Sequence, residues 1–133
     1  MTNETRARLF EAAEKARTSA YAPYSGFTVG AALLAEDGRL FTGCNVESAA
    51  FSPTLCAERV ALGAAVAAGA RRFLAIAVVG GHGEHREDCT PCGVCRETLS
   101  EFADDGFLFL FESGGERCEM PMSNLLPQRF KLK

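Results

Sequence analysis

Apolar residues in the first third of the chain recur with two different periods. In residues 4–19 they fall three or four positions apart, which predicts an amphipathic helix whose buried face carries Leu9, Ala12, Ala13 and Ala16. Residues 27–34 and 39–45 are short runs that favour strands, and the sequence AEDG between them is typical of a hairpin turn. We therefore predict a helix followed by two antiparallel strands.

The rest of the chain alternates between helical segments and strands. An alanine-rich stretch over residues 55–68 predicts a helix that ends near Gly69, and another helix is predicted from Cys92 to about Ala103. The segment GGHGEHRED is expected to be a surface loop. Further strands are predicted at residues 73–79, 107–111 and 116–120. This alternation predicts a single α/β domain over residues 1–133, a three-layer αβα sandwich with a mixed sheet of about five strands.

Composition narrows the functional class. A chain of 133 residues, 47% of them hydrophobic and 23% charged, has enough apolar material for one ordinary core. The formal net charge of −3 offers no basic surface for nucleic acid or an anionic membrane. The residues from Glu4 onward include many charges and do not form the apolar segment of a secretion signal, so secretion is not expected. Six cysteines in such a chain favour a metal or catalysis over disulfides, so we expect a cytoplasmic protein.

Two cysteines three positions apart, Cys92 and Cys95, lie in the segment TPCGVCRE. Pro91 suits a helix start, so both sulfur atoms are expected on one face of the first turn. The helix dipole and free N–H groups there favour thiolates. Two thiolates make half of a site for a soft or borderline metal, above all zinc.

A third cysteine, Cys56, begins the alanine-rich helix in the segment TLCAERVAL. If two helix N-termini meet, Cys56 joins the other pair, and three thiolates need a dication to offset their charge. Three protein ligands leave one tetrahedral position for water, which distinguishes a catalytic zinc from a structural one. Zinc lowers the pKa of that water, and Arg59, three positions after Cys56, is placed to donate to a thiolate.

Glu58 lies two positions after Cys56. It comes near the metal without binding it only if Cys56 occupies the very edge of the first helical turn. A carboxylate there could take a proton from the activated water and deliver it to a ring nitrogen and a departing amine. A non-ligand glutamate, three cysteine ligands and P-C-x-x-C form one variant of the site of zinc nucleobase deaminases.

Other interpretations of these residues stay open at this point. Cys89 precedes Cys92 by three positions, so these two could be the true pair, or Cys89 could be a fourth ligand. The spacing also resembles an iron–sulfur motif, although Leu99 occupies the expected fourth position. The remaining candidates are interpreted as buried apolar residues, namely Cys44 and Cys118, or as surface residues, namely His82, His85, Arg96 and Glu97.

The chain resembles the small homotetrameric cytidine deaminases over nearly its whole length. The motifs PYSGFTVGAAL, TGCNVES, LCAERVAL, PCGVCRE and LLPQRF occur in that family's order and spacing. The resemblance implies a cytidine deaminase-like fold, a Zn2+ cofactor and a homotetramer with sites shared between subunits. It implies hydrolysis of cytidine and deoxycytidine to uridine and deoxyuridine with release of ammonia, a reaction of pyrimidine salvage. Cys56, Cys92 and Cys95 match the zinc ligands of the family, and Glu58 matches its proton shuttle.

The same resemblance implies a set of substrate-binding residues. Asn45 and Glu47 match the pair that binds the ribose hydroxyls, and Phe27 matches an aromatic residue beside the base. Ala57, between the first ligand and the proton shuttle, belongs to the same set. Phe130 matches the C-terminal aromatic residue that reaches into a neighbouring subunit's site.

Three positions depart from the family pattern. Ser48 stands where Asn is usual, Phe51 where Tyr is common and Glu97 where Gln is usual. Glu97 adds negative charge near an anionic site, and Ser48 changes how the ribose-binding loop is held. These departures leave the preference among pyrimidine nucleosides open.

Two other functions are consistent with the cysteine motifs. A deaminase of a cytosine-nucleoside antibiotic of the blasticidin-S type would share the catalytic core, but Glu47 argues against it because such relatives lack an acidic residue at that position. A non-catalytic zinc module would need a fourth protein ligand, for which Cys89 is the natural candidate.

Overall fold

The computed structural model describes residues 1–132. These residues form helices and strands in the chain order α1 (Asn3–Arg17), β1 (Phe27–Ala35), β2 (Leu40–Cys44), α2 (Ala57–Ala67), β3 (Phe73–His82), β4 (His85–Glu87), α3 (Gly93–Ser100), β5 (Leu108–Ser113), β6 (Glu116–Pro121) and α4 (Met122–Leu125). None of the helices in this part of the chain combines the length and apolar character needed to cross a bilayer.

The strands form one mixed sheet in the order β2-β1-β3-β5-β6, with the short strand β4 added beside β3. Strand β3 pairs in parallel with β5, whereas the pairs β1–β2, β1–β3, β3–β4 and β5–β6 are antiparallel. The predicted mixed sheet of about five strands is therefore confirmed, and the sixth strand is the short β4.

Apolar side chains cover both faces of the sheet. On one face, Leu9, Phe10 and Ala13 of α1 pack against alternate residues of β1 and β3. On the other face, residues of α2 and α3 pack against the intervening residues of the same strands, together with Phe107 and Phe109. Because both faces are buried, the central strands are apolar throughout. The result is the predicted three-layer sandwich.

Helix α1 begins at an N-cap, Thr2, whose hydroxyl accepts a hydrogen bond from the backbone N–H of Thr5 at 3.1 Å. Its buried residues include Leu9, Phe10 and Ala13, whereas the predicted face also included Ala12 and Ala16, which are half-buried. The helical period was correct, but the buried stripe is rotated toward Phe10.

Gly43 fixes the approach of α2 to the sheet. A Cβ atom at this position would lie 2.4 Å from the carbonyl oxygen of Ala57 and 2.5 Å from the nitrogen of Ala61. Only glycine allows the first turn of α2 to pack this close to β2. This contact sets the height of Cys56 and Glu58 above the sheet.

Two predicted segments differ from the structure. The segment GGHGEHRED was expected to be a surface loop, but β3 continues to His82 and turns back into β4. The third helix ends at Ser100, earlier than the expected Ala103. Cys44 and Cys118 were expected to be buried, but both are only half-buried.

Candidate active site

The N-termini of α2 and α3 each carry a cysteine at the N-cap position. Cys56 and Cys92 have extended backbone conformations, with ψ of 150° and 169°, and neither side chain caps its own helix. An N-cap side chain usually accepts a hydrogen bond from the first turn. Here both sulfur atoms instead lie in the space between the two helices, where the helix dipoles favour negative charge.

Three sulfur atoms converge in this space. The Sγ atoms of Cys56 and Cys92 are 3.8 Å apart, those of Cys92 and Cys95 are 3.6 Å apart, and all three lie within 4.8 Å of one another. A tetrahedral zinc with Zn–S bonds of about 2.3 Å separates its sulfur ligands by about 3.8 Å. The cluster therefore fits zinc in both donor type and spacing.

The thiols of Cys56 and Cys95 have pKa values shifted in opposite directions. The pKa of Cys56 falls to about 5 because its sulfur accepts a hydrogen bond from Cys95 and a further one from Arg59. The Nη2 atom of Arg59 lies 3.6 Å from the Cys56 sulfur. The pKa of Cys95 rises because its thiol proton is shared with Cys56 and because it is buried. Of these two sulfur atoms, Cys56 is therefore the one whose surroundings favour the thiolate.

Glu58 is almost completely buried beside the thiols, with 4% of its surface exposed. Burial raises the pKa of Glu58 to about 7, and the negative charge of Cys56 adds to this effect. A carboxyl group with such a pKa exchanges protons readily near neutral pH. Glu58 is the second residue of α2 and Cys56 is its N-cap, so Cys56 occupies the helix edge that the C-x-E spacing required.

Cys89 lies outside the thiol cluster. Within residues 1–132, the group of side chains placed to hold a metal is Cys56, Cys92 and Cys95. Cys89 is buried in the core layer, its backbone N–H donates to the carbonyl of Glu112 at 3.2 Å, and burial raises the pKa of its thiol to about 12. A neutral, buried thiol outside the cluster does not supply a fourth ligand, so one corner of the tetrahedron is left without a cysteine.

Glu47 anchors the loop that precedes β1. Its carboxylate accepts hydrogen bonds from the backbone N–H groups of Tyr24 at 3.0 Å and Ser25 at 3.1 Å, and from the hydroxyl of Ser25. The Ser25 hydroxyl is the main cause of the lowered pKa of Glu47. The sequence assigned Glu47 to substrate binding but gave no sign of these local contacts.

Asn45 is used by the backbone of β1. Its side-chain oxygen accepts from the N–H of Val29 at 2.8 Å, and its amide nitrogen donates to the carbonyl of Phe27 at 2.9 Å. Asn45 was predicted to end the second strand, but it follows β2 and is buried. The side chain therefore fixes the start of β1, where Phe27 lies.

The loop after Glu47 is held by its own hydroxyl groups. The backbone N–H of Ser48 donates to the hydroxyl oxygen of Thr54 at 2.9 Å, and the Ser48 hydroxyl accepts from the N–H of Ala50 at 3.2 Å. Ser48 thus supports a turn in this loop. Ala57, at the first position of α2, is fully buried.

The prediction that His82 lies at the surface is confirmed, whereas the prediction for Arg96 is corrected by its side-chain contacts. His82 is exposed, but its ring packs edge-on against Phe27 with centroids 5.4 Å apart, and it forms an ion pair with Glu87. Arg96, expected to form an exposed pair with Glu97, donates from Nε to the carbonyl of Pro91 at 2.8 Å and from Nη1 to the carbonyl of Leu125 at 3.0 Å. Arg96 thereby ties the residue before Cys92 to the end of α4. The sequence does not reveal the packing of His82 on Phe27, because the two residues are far apart in the chain. It does not reveal the contacts of Arg96 either, because both partners are backbone carbonyl groups.

Phe130 lies in the C-terminal segment and is 73% exposed. It lines a surface cleft of about 620 Å³ with Arg72, Phe102 and Arg129. Within the described chain it fills no apolar pocket.

Comparison with known proteins shows the class to which this fold and site belong: the chain is a hydrolytic enzyme of the deaminase type. The family model described as "Cytidine and deoxycytidylate deaminase zinc-binding region" matches residues 3–110. A cytidine deaminase from Sporosarcina psychrophila is 44% identical over 124 residues, which cover 92% of this chain and 89% of the relative. The chain belongs to the cytidine and deoxycytidylate deaminase family.

Solved structures give the same result. The crystal structure of cytidine deaminase from Burkholderia pseudomallei superposes with a TM-score of 0.84 at 44% identity, covering 98% of this chain and all of that one. The cytidine deaminase from Mycobacterium tuberculosis gives a TM-score of 0.83 at 39% identity and 99% coverage of this chain. A blasticidin-S deaminase from Bacillus cereus is more distant, at 32% identity over 107 residues, which cover 77% of this chain and 76% of the relative.

Proposed function

We propose that this protein hydrolyses cytidine and deoxycytidine to uridine and deoxyuridine, releasing ammonia, and acts in pyrimidine salvage. The observation that carries this proposal is the convergence of three cysteine sulfur atoms beside a buried glutamic acid, Glu58. Hydrolytic deamination needs an activated water and a group that moves protons at the same place.

Cys56, Cys92 and Cys95 are the proposed ligands of Zn2+. When bound, zinc lowers the pKa of a water and so supplies the nucleophile for C4 of the cytosine ring. Arg59 donates to the Cys56 sulfur and offsets part of the thiolate charge. This donation counters the strong electron release of three thiolates, which would otherwise make the water less acidic.

Glu58 is the proposed proton carrier. It takes a proton from the attacking water and passes it to ring nitrogen N3 as the C4–O bond forms. It then delivers the second proton of that water to the amino group, which leaves as ammonia when the C4–N bond breaks. Because burial raises the pKa of Glu58 to about 7, the carboxyl group can both accept and release protons in this cycle.

The proposed substrate pocket is formed by the residues around the start of β1 and the start of α2. Asn45 and Glu47 are assigned to the sugar hydroxyls, Phe27 to a face of the base, and Ala57 to the wall beside the reacting carbon. Binding energy from the sugar positions C4 without touching it. Asn45 and Glu47 are well held for this task, because each is fixed by at least two hydrogen bonds to the backbone.

An ultraviolet assay on purified protein tests the activity directly. We expect turnover of cytidine and deoxycytidine and about one zinc per chain. Blasticidin S is the informative competitor substrate, since a related enzyme is a blasticidin-S deaminase. Preference for blasticidin S over cytidine would replace the proposed substrate, and absence of zinc would remove the proposed mechanism.

We also propose that the protein is a homotetramer in the cytoplasm and that residues 1–133 of each subunit form one catalytic domain. Its proposed substrate is a nucleoside, and no polynucleotide or membrane is proposed as a partner. Large side chains left exposed support a subunit contact near the site. Three of these residues are neighbours, because isolated strand bridges join Tyr21 to Val46 and Val46 to Leu55, and a fourth, Phe51, belongs to the loop between Val46 and Leu55. Phe51 is 80% exposed and has a positive φ of 61°, an unusual position for an aromatic residue without a partner.

Phe130→Ala is expected to lower kcat/KM for cytidine by about tenfold, because each site loses an aromatic contact supplied by a neighbouring subunit. Co-expression with Glu58→Gln chains checks this origin. In mixed tetramers, a site with intact Glu58 can receive Phe130 from the other chain, so the activity per intact Glu58 should recover. An active monomer, or a mixture with no recovery, would exclude a shared site.

A further inference from the structure

One face of the sheet carries a row of five residues that leads to the proposed base-binding position. Phe27 pairs with His82 across β1 and β3, and Gly80 pairs with Val29 on one side and with Glu87 on the other. Alternate residues of a strand share a face, so Phe27, Gly80, His82 and Glu87 lie on the face of the sheet that α2 and α3 cover, and Cys89 belongs to the core cluster on the same face.

Gly80 has no room for a side chain. A Cβ atom at this position would lie 2.8 Å from the Cys89 sulfur, and 2.8 Å and 2.9 Å from two ring carbons of Phe27. Contacts between carbon atoms of this kind normally lie at about 3.5–4.0 Å. The Phe27 ring and the Cys89 thiol therefore both border the space above Gly80, which only a glycine leaves free.

The two neighbours of Gly80 would not yield equally to a larger residue. Cys89 is 9% exposed and belongs to the core cluster. The Phe27 ring also packs edge-on against His82, whose side chain is 53% exposed and pairs with Glu87. Close-packed cores resist displacement, whereas an exposed side chain moves at little cost. Added volume at position 80 would therefore displace the Phe27 ring toward His82.

We propose that Gly80 is a positioning residue for nucleoside binding: it sets where the Phe27 ring stands, with Cys89 as the inner stop. The inference rests on the proposed function, in which Phe27 packs beside the cytosine ring. Gly80 and Cys89 touch no reacting atom. They act through Phe27, so their replacement changes binding more than chemistry.

Steady-state kinetics of Gly80→Ala test this role. We expect the KM for cytidine to rise about three- to tenfold with kcat changed less than about twofold, because an aromatic contact is misplaced and Glu58 is not. In a Phe27→Ala background the same substitution should change KM by less than about twofold, since the ring through which it acts is gone. An unchanged KM in the single variant, or an equal effect in both backgrounds, would overturn the proposal.

Thermal unfolding separates the packing from the function. Gly80→Ala should lower Tm by about 5 °C in the wild-type background and by clearly less beside Phe27→Ala, where the new methyl group has space. This measurement needs no substrate, so coupling in Tm without any cytidine turnover would refute the proposed function and leave the packing intact. Equal Tm losses in both backgrounds would refute the packing itself. Gly63→Ala is the matched control, because a Cβ there meets nothing within 4 Å.

Cys89→Ala provides an independent variant if Gly80→Ala folds poorly. Loss of the inner stop frees the Phe27 ring, so the KM for cytidine should again rise with little change in kcat. Zinc content should equal that of the wild type, since the Cys89 sulfur lies outside the cluster. Loss of zinc would show that Cys89 is a ligand, and an unchanged KM would show that it does not support Phe27; either result contradicts the proposal.

Discussion

Glu58→Gln should abolish nearly all deamination while leaving the protein folded and loaded with zinc. General acid–base groups contribute about 10²–10⁴ in rate, and Glu58 is proposed to serve several proton transfers in one cycle, so we expect kcat to fall at least about 10³-fold. Glutamine has the same shape and does not carry a proton between two sites. Substrate affinity, measured by equilibrium dialysis with cytidine, should change little.

The structure offers a matched control for this substitution. Glu97 lies on α3, two positions after Cys95, and is exposed. Glu97→Gln makes the same chemical change near the same cluster, and we expect activity within about twofold of wild type because exposed charges are screened by water. If Glu58→Gln kept wild-type turnover, another group would have to carry the protons. If it lost zinc, its defect would be in metal binding rather than in catalysis.

The fold was predictable where the chain is strongly periodic. The sequence placed β3 and α2 within a few residues of their observed positions. The continuous apolar run of β3 reflects burial on both faces of the strand, and the pattern of α2 reflects burial on one face of the helix. The β3–β4 hairpin was missed since its sequence, rich in glycine and charge, looks like a loop. It forms because β3 offers backbone partners along Gly80, Gly81 and His82.

The site was predictable only in part, because only some of its contacts follow from local sequence spacing. The spacing of Cys92 and Cys95 follows local helix geometry, so the sequence could indicate this pair, whereas Cys56 joins them only because the fold brings two helix N-termini together. The contacts that position the site involve backbone carbonyls or empty space. Arg96 binds two carbonyl groups, and Gly80 acts by lacking a side chain. No residue pattern encodes such contacts before the fold is known.

The N-cap positions explain why cysteine stands where serine or aspartate would stabilise a helix. Cys56 and Cys92 make no side-chain cap hydrogen bond, so each helix gives up a stabilising contact worth about 1 kcal/mol. The same position aims each sulfur at its partners and places it at the positive end of a helix dipole. The two helix N-termini are thus less stable than capped ones, but they form a site that favours negatively charged sulfur atoms. A bound dication would offset the lost capping energy, because it stabilises the folded state.

Cys92→Ala should therefore cost the protein its zinc and its activity together. Two thiolates hold zinc far more weakly than three, so we expect zinc content below about 0.1 per chain after dialysis against a chelator, and a fall in activity of at least about 10³-fold. Cys92 is the most informative ligand to replace, because it is exposed whereas Cys95 is fully buried. Alanine at position 92 opens no cavity, so lost packing cannot account for the result.

Chelation and a distant cysteine complete the test. Chelator treatment of the wild type should lower Tm and abolish turnover, and added zinc should restore both, since a ligand that binds only the folded state stabilises it. For Cys92→Ala, the same treatment should leave Tm unchanged. Cys118→Ser, on the strand β6 and outside the cluster, should retain zinc and activity. Wild-type zinc content in Cys92→Ala would mean that another side chain completes the site. The proposed set of three cysteine ligands, which leaves one coordination position for water, would then be wrong.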